Sequence, residues 1–263
     1  MWSEYSILVQ VTAFVFGAMV GSFANVCIYR LPLSLNIVTP RSHCTQCGTP
    51  ITWFENIPVL SFLFLRGRCR SCHISIGWIH PLVETLIGFI AWFCVFHFGL
   101  TPLAFYYFVL ITTLIIISKI DIDHQIIPDS ISLGGLIIGL ALALIFQLTG
   151  VEWQVTFLDA LIGAAVGSGF LWIIAWIYEK LTGKEGLGFG DVKLMAMFGS
   201  LGGMEATFFS IFIGSLVGTF AGVFMIVFFK KGRRTPIPFG PFLCFGFIVY
   251  LLHTLHFIHV PLW

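Results

Sequence analysis

Long apolar runs constrain this chain more than any other feature. Seven stretches, at roughly 6–29, 78–98, 103–120, 131–148, 157–178, 205–229 and 242–260, match or approach the length a membrane-spanning helix needs, about 20 residues. An eighth, 191–203, is equally apolar but only thirteen residues long. As a helix it reaches about 20 Å, against a hydrocarbon core of about 30 Å. It ends in Gly199-Ser200-Leu201-Gly202-Gly203, which favours a break. A helix this short is tolerated where neighbours bury it or where it lines a wet cavity. The chain is 58% hydrophobic with 10% charged residues, and its mean hydropathy is +1.00. A soluble domain carries roughly 25% charged residues. A soluble globular protein is thereby excluded. The expected fold is an all-α polytopic membrane protein with about eight transmembrane helices and a small cytoplasmic zinc-knuckle domain.

Charge placement sets the expected orientation. If all eight segments cross, the thirteen Lys and Arg residues fall on one side, from Arg30 through Lys119, Lys180, Lys184 and Lys193 to Lys230, Lys231, Arg233 and Arg234. The opposite loops, near 99–102, 149–156 and 201–204, carry none. The positive-inside rule makes the basic side cytoplasmic. The first apolar run lacks a preceding basic residue and a cleavage site of small residues, so it is expected to be a retained anchor rather than a signal peptide. Three regions follow: a first transmembrane helix at 1–29, a cytoplasmic four-cysteine domain at 30–77, and a membrane-embedded bundle of about seven helices at 78–263. Glycines spaced four apart, Gly163 and Gly167, then Gly214, Gly218 and Gly222, read as close helix contacts. No phosphate-binding or dinucleotide loop stands in a strand-turn-helix context, and no nucleic-acid partner is expected.

The loop at 30–77 holds Cys44-Thr45-Gln46-Cys47 and Cys69-Arg70-Ser71-Cys72. A C-x-x-C turn offers two thiolates to one edge of a tetrahedral metal, and a second turn closes the site. Nearby Arg66, Arg68 and Arg70 favour thiolate over thiol. Two disulfides or redox pairs are the alternative, which a cytoplasmic location disfavours. The expectation is a structural Zn2+ on Cys44, Cys47, Cys69 and Cys72, with no open position for water. His43 and His73 flank these ligands and are weighed as replacements. The segment Trp53 to Leu60 is expected to supply a minimal core or to rest on the membrane interface. Cys27, Cys94 and Cys244 lie in apolar runs and read as buried hydrophobes.

Acidic residues are scarce, twelve in the chain. Asp191, in Gly188-Phe189-Gly190-Asp191, stands at the mouth of the short segment, and Asp121 closes the third span. An ionisable group at the edge of hydrocarbon is costly and suggests function. The charge argument puts both on the cytoplasmic face, where they make either an acid/base pair that activates water or solvated loop residues. Asp123, Asp129 and Glu185 share that face. They form an acidic rim for a basic substrate segment, or they balance the neighbouring lysines.

With these residues in order, the chain resembles the type IV prepilin peptidases, G-x-G-D aspartic proteases. The resemblance rests on Gly21-Ser22-Phe23, Asn25 and Ile28-Tyr29-Arg30-Leu31-Pro32; the paired C-x-x-C loop with Asn56-Ile57-Pro58-Val59-Leu60-Ser61 and Leu65-Arg66-Gly67; and Pro81-Leu82-Val83-Glu84. It continues in Asp121-Ile122-Asp123, Ile127-Pro128-Asp129, Gly188 to Leu194, and Ile237-Pro238-Phe239-Gly240-Pro241-Phe242. Leu187 stands where the family commonly has Met.

The resemblance implies that Asp121 and Asp191 are the catalytic pair, with Asp123 a weaker competitor for the first role. It makes Gly188 and Gly190 an active-site loop, and Asp123, Asp129 and Glu185 candidate contacts for a substrate leader. It implies prepilin and pseudopilin precursors as substrates, membrane lipid as surroundings, and the bacterial inner membrane as location. Long members also methylate the new amino terminus, usually Phe, from S-adenosylmethionine; no residue is assigned to binding that cofactor. Two other classes fit the bare residues. One is a membrane transporter with a regulatory zinc loop, and the other a membrane-anchored zinc interaction module without catalysis.

Overall fold

The computed structural model describes residues 6–151, 154–184, 186–229 and 237–257. Among them are eight α-helices: α1 (Ile7–Arg30), α2 (Leu60–Phe64), α3 (Ile79–Phe98), α4 (Pro102–His124), α5 (Asp129–Thr149), α6 (Phe157–Thr182), α7 (Phe189–Phe229) and α8 (Gly240–Phe257). Six are long and apolar enough to cross a membrane, and α8 is a shorter apolar helix. One of the basic clusters behind the charge asymmetry, Lys230, Lys231, Arg233 and Arg234, lies outside the described residues.

The chain forms two compact units, Met1–Ile116 and Ile117–Trp263. In the first, α1 and α3 pack antiparallel. Trp92 Nε1 donates to Gln10 Oε1 at 3.2 Å toward one end. At the other, Gly21 brings the two backbones so close that a Cβ there would lie 2.7 Å from Glu84 Cα. The exposed faces of α1 and α3 carry large apolar side chains such as Leu8, Phe16, Leu82 and Phe89, as lipid-facing helices do.

The second unit is organised by a break in α7. Gly203 has φ 69° and ψ −160°, outside any helical geometry and in a region that essentially only glycine occupies. The contacts on either side reveal a reversal. Gly163 of α6 faces both Gly199 and Gly203, whereas Gly167, one turn on, faces Met195 and Thr207. As α6 advances, the arm before Gly203 runs backward and the arm after it runs forward. The two arms of α7 are therefore antiparallel, and counted separately with α8 they give the eight segments that hydropathy predicts.

The first arm, 189–202, is the short segment. It is buried from Asp191 onward except for partial exposure at Lys193 and Ala196. Leu194, Met195 and Phe198 have no exposed surface. Its length mismatch is resolved by burial: α5, α6, α8 and the second arm surround it, so no lipid meets its backbone. Gly135 and Gly139 of α5 face Met197 and Ser200 in turn, and Phe198 stacks on Phe247 at 4.4 Å. Both α5 and α8 thus run parallel to the first arm. Asp159 lies at the reversal, its Oδ1 3.4 Å from the Met204 amide, where a carboxylate suits a helix N-terminus.

A valine at position 163 would drive its Cβ to 2.5 Å from the Gly203 carbonyl carbon. We expect Gly163→Val to lower the melting temperature in detergent, consistent with an overpacking cost of about 1–3 kcal/mol. Gly169→Ala, with nothing within 4 Å of the added carbon, is expected not to lower it.

Candidate active site and metal centre

Four helix ends meet where the first arm begins: the last turn of α4 and the starts of α5, α7 and α8. Asp121 lies on that last turn, not in a loop beyond it. The helix continues because Gln125 N donates to Asp121 O at 2.9 Å, and it stops at Gln125, which takes φ 55°. Pro128 then starts α5. The Asp121 side chain is 5% exposed. Its Oδ2 accepts the Gly240 amide at 2.9 Å, one of the N–H groups that a helix start leaves without an intrahelical partner.

Asp191 is 8% exposed and sits in the first turn of α7. Its amide donates to Gly188 O at 3.1 Å, which folds the Gly188–Asp191 segment into the helix start. Ile127 joins the two carboxylates' surroundings. A Cβ on Gly190 would stand 3.1 Å from Ile127 Cβ, and one on Gly240 would stand 3.2 Å from Ile127 Cδ1. The solvated-loop reading of either residue does not survive this burial. Among the described residues no ion pair engages either carboxylate.

The outer acids are arranged differently. Asp123 pairs with Lys119 one turn back on α4, and Asp129 pairs with Lys193 at 2.7 Å. Both are exposed. Here the balancing role holds: each acid neutralises one lysine, so the rim is less acidic than its composition suggests. Glu185 lies outside the described residues. Gly188 is exposed and a Cβ on it would come to 3.3 Å from Asp191 Oδ2, while Gly190 packs inward on Ile127. Two neighbours were not singled out for this site: Gly240, whose amide binds Asp121, and Cys244. The buried Cys244 thiol hydrogen-bonds Ser118 and lies within electrostatic reach of both aspartates. Gly240 stands in the Ile237 to Phe242 motif and Cys244 in an apolar run, but neither setting reveals the link to Asp121, which depends on α8 packing beside α4.

In the first unit the four loop cysteines converge. All four Sγ atoms lie within 4.8 Å of one another, and Cys44 Sγ is 3.8 Å from Cys72 Sγ. A tetrahedral ion with metal–sulfur bonds of about 2.3 Å requires sulfur–sulfur edges of about 3.8 Å. The cysteine set therefore fits a closed tetrahedral metal site. The knuckles are copies offset by 25 residues: His43 bridges Pro50 as Arg68 bridges Ser75. The Cys44 and Cys69 amides donate to Thr49 O and Ile74 O, both at 2.9 Å. The residue after each pair takes a positive φ, 72° at Gly48 and 56° at His73. His73 is thus a turn residue, and His43 Nδ1 lies 3.1 Å from Arg41 O; neither joins the sulfur cluster. Hydrogen bonds from the Thr49 hydroxyl and amide pull the Cys47 thiol down to about 6 and backbone amides lower Cys69, while desolvation and the neighbouring sulfurs push Cys72 up to about 11, so four adjacent thiolates need a cation among them.

The minimal core expected from Trp53 to Leu60 is not found there. Trp53 is 81% exposed, and Phe54, Ile57 and Leu60 are exposed too. The buried residue is Phe62, which meets Trp78 edge-to-face at 4.7 Å beneath Gly67. Buried Arg30 ties the loop to α1, donating to Asn36 O at 2.9 Å and Pro40 O at 2.8 Å.

The fold and these two centres define a polytopic membrane protein with an internal carboxylate pair and a four-cysteine domain. Comparison with known families gives two matches: residues 15–98 to the bacterial peptidase A24 N-terminal domain, and residues 108–223 to the type IV leader peptidase family. A prepilin leader peptidase/N-methyltransferase of Stutzerimonas stutzeri is 38% identical, covering 91% of this chain and 89% of that protein. The protein of the same name from Pseudomonas aeruginosa PAO1 is 38% identical over 90% of this chain and 87% of its own. That from Myxococcus xanthus DK1622 is 41% identical over 87% of this chain and 66% of its own. The chain belongs to the type IV leader peptidase family. No solved structure matches it.

Cys44→Ser and Cys69→Ser are each expected to abolish stoichiometric metal in the purified protein, as read by elemental mass spectrometry. His43→Ala and His73→Gly are expected to keep it.

Proposed function

We propose that this chain removes the leader from type IV prepilins and type II secretion pseudopilins at the cytoplasmic face of the bacterial inner membrane. Asp121 and Asp191 act as an aspartic dyad, and the new amino terminus, usually Phe, is then N-methylated. The chain is an enzyme: its family and its named relatives combine leader peptidase with N-methyltransferase activity. S-adenosylmethionine enters as a second substrate that supplies the methyl group. The observation that carries the peptidase reading is the burial of two carboxylates at one end of the bundle, with no cation engaging either among the described residues. A structural acid at that depth is ordinarily ion-paired, and here even the exposed Asp123 and Asp129 are.

Two adjacent carboxylates do not readily both ionise, so one carries a proton and the other does not. The ionised member takes a proton from water while the water oxygen attacks the scissile carbonyl carbon. The protonated member hydrogen-bonds the carbonyl oxygen as negative charge develops there. Collapse of the adduct breaks the C–N bond, and the leaving nitrogen takes the proton that the first carboxylate removed from water. The Gly240 amide fixes Asp121 during these steps. Exposed Gly188, without a side chain, lets a substrate backbone approach Asp191. Asp129 stays 60% exposed in its pair with Lys193, which suits it better than Asp123 to meet a basic leader; Glu185 is a further candidate. Cys44, Cys47, Cys69 and Cys72 would hold a Zn2+, which when bound would order the domain rather than activate water. The working division is an anchor at 1–29, the zinc domain at 30–77 and the peptidase bundle at 78–263, with lipid around the helices.

Asp121→Asn and Asp191→Asn are each expected to reduce leader removal by about 10²-fold or more while the protein still inserts, and Asp123→Asn to keep most of it. Immunoblotting of prepilin and mature pilin in cells separates these outcomes; efficient processing by either dyad variant ends the aspartic reading. Mass spectrometry of mature substrate is expected to find a methylated amino terminus. A bare amine in cells with normal donor supply counts against the second activity.

A further inference from the structure

One half-buried carboxylate belongs neither to the dyad nor to the sulfur cluster. Glu84 lies near the start of α3, and its Oε2 accepts the Val59 amide at 2.8 Å. The Ser22 hydroxyl of α1 also bonds it. Ser22 Oγ lies 3.4 Å from Asn56 Oδ1, and Asn25 Nδ2 donates to His80 O at 3.1 Å, tying α1 to α3 beside the cluster.

The backbone above Glu84 is strained. Val59 has φ 61° and ψ −49°, and Leu60 N donates to Pro58 O at 2.5 Å. That is a γ-turn of the rare hand, centred on a β-branched residue for which positive φ is a genuine outlier. Such a conformation persists only where its surroundings over-determine it, and such residues gather at ligand clamps. Here the Glu84 carboxylate grips the strained residue's own amide, and the turn sets Asn56 against Ser22.

The donor and acceptor count is unbalanced. An ionised carboxylate has about four lone-pair sites, and Val59 and Ser22 fill two. The single Ser22 proton cannot serve both Glu84 and Asn56 Oδ1. Among the described residues no ion pair engages Glu84, whereas Glu55 nearby has Arg70 at 3.7 Å. Among the described residues the cluster has no positive charge, and its N–H groups are the Val59 amide, already engaged by Glu84, and the Asn56 side-chain amide. It is reachable, since Asn56 is exposed and Ser22 and Glu84 are partly so. Apolar surface adjoins it in Phe23, 50% exposed, and Leu60, 52% exposed.

We propose that Glu84, Ser22 and Asn56 form a binding site for the protonated amino terminus of a peptide that begins with an apolar residue. This rests on the reading above, in which leader removal creates such a terminus and methylation consumes it; the cluster seats the methyl acceptor. An ammonium supplies the missing charge and donors for the remaining carboxylate and amide acceptor sites, and the residue attached to it rests on Phe23 and Leu60.

The test uses the full-length protein in detergent. The probes are a peptide of a mature pilin amino terminus beginning with Phe, and its N-acetylated counterpart. Titration calorimetry near neutral pH, where an α-amine is largely protonated, is expected to give binding of the free amine about tenfold tighter or more. Glu84→Gln keeps an acceptor for the Val59 amide but loses the charge. It is expected to erase that discrimination and to cut methylation of processed substrate at least about tenfold. Leader removal, whose dyad does not include Glu84, reports that the variant is folded. Ser22→Ala is expected to weaken the free amine without affecting the acetylated peptide. Equal binding of the two peptides by the unaltered protein overturns the proposal, as does normal methylation by Glu84→Gln. An equal loss of leader removal and methylation in that variant also overturns it, because it marks a purely structural clamp. Failure of the underlying function registers separately, as an unaltered protein that leaves prepilin uncut or unmethylated; the peptide titration then still decides the amine site.

Discussion

The reversal at Gly203 is the constraint on which the second unit depends. A single residue in a conformation closed to other amino acids turns α7 back on itself. It does so against Gly163 and Gly199, where the absence of side chains lets helices touch backbone to backbone. Hydrophobic driving force is weak between helices in lipid, so such close contact supplies much of the cohesion. With the reversal in place the short first arm becomes the centre of the bundle. Its parallel course with α5 and α8 brings its start, Asp191, to the starts of those helices and to the end of α4.

Charge is sorted by depth at that end. The outer acids, Asp123 and Asp129, take the lysines, Lys119 and Lys193. The inner acids, Asp121 and Asp191, are both buried at the helix ends around Ile127, with a backbone amide of Gly240 as the hydrogen-bond donor to one of them. Removing an ion from water without a counter-charge costs several kcal/mol. That cost is consistent with a chemical role and hard to reconcile with a structural one. Among the described residues no cation pairs with either inner acid, whereas a salt bridge would favour the ionised state.

The first unit uses a different economy. Its loop buries little besides Phe62 and Arg30, too small a core to order a polar segment by hydrophobic burial alone. Two copies of one knuckle converge four sulfurs instead, and metal binding can supply the missing folding free energy. Glu84 adds a second tether, from α3 to the strained turn at Val59, so that the loop is anchored to the helix pair at more than one point.

Much of this was legible in the sequence. Hydropathy gave the membrane class and the number of segments, because a spanning helix has a length fixed by the bilayer. The glycine-rich end of 191–203 announced the break, and the spacing of the cysteines announced the metal site, because both follow from local backbone geometry. Asp121 and Asp191 stood out because carboxylates are rare in such a chain and costly at a membrane edge. Tertiary structure alone decided what surrounds them. Which acid is paired and which is bare, the Gly240 amide on Asp121, the exposure of Trp53 and the burial of Phe62 all depend on segments far apart in the chain. So does the meeting of Ser22, Asn56 and Glu84. A sequence encodes periodicity and local turn chemistry residue by residue, but a contact across dozens of positions exists only once helices choose their neighbours, and that choice is made by packing.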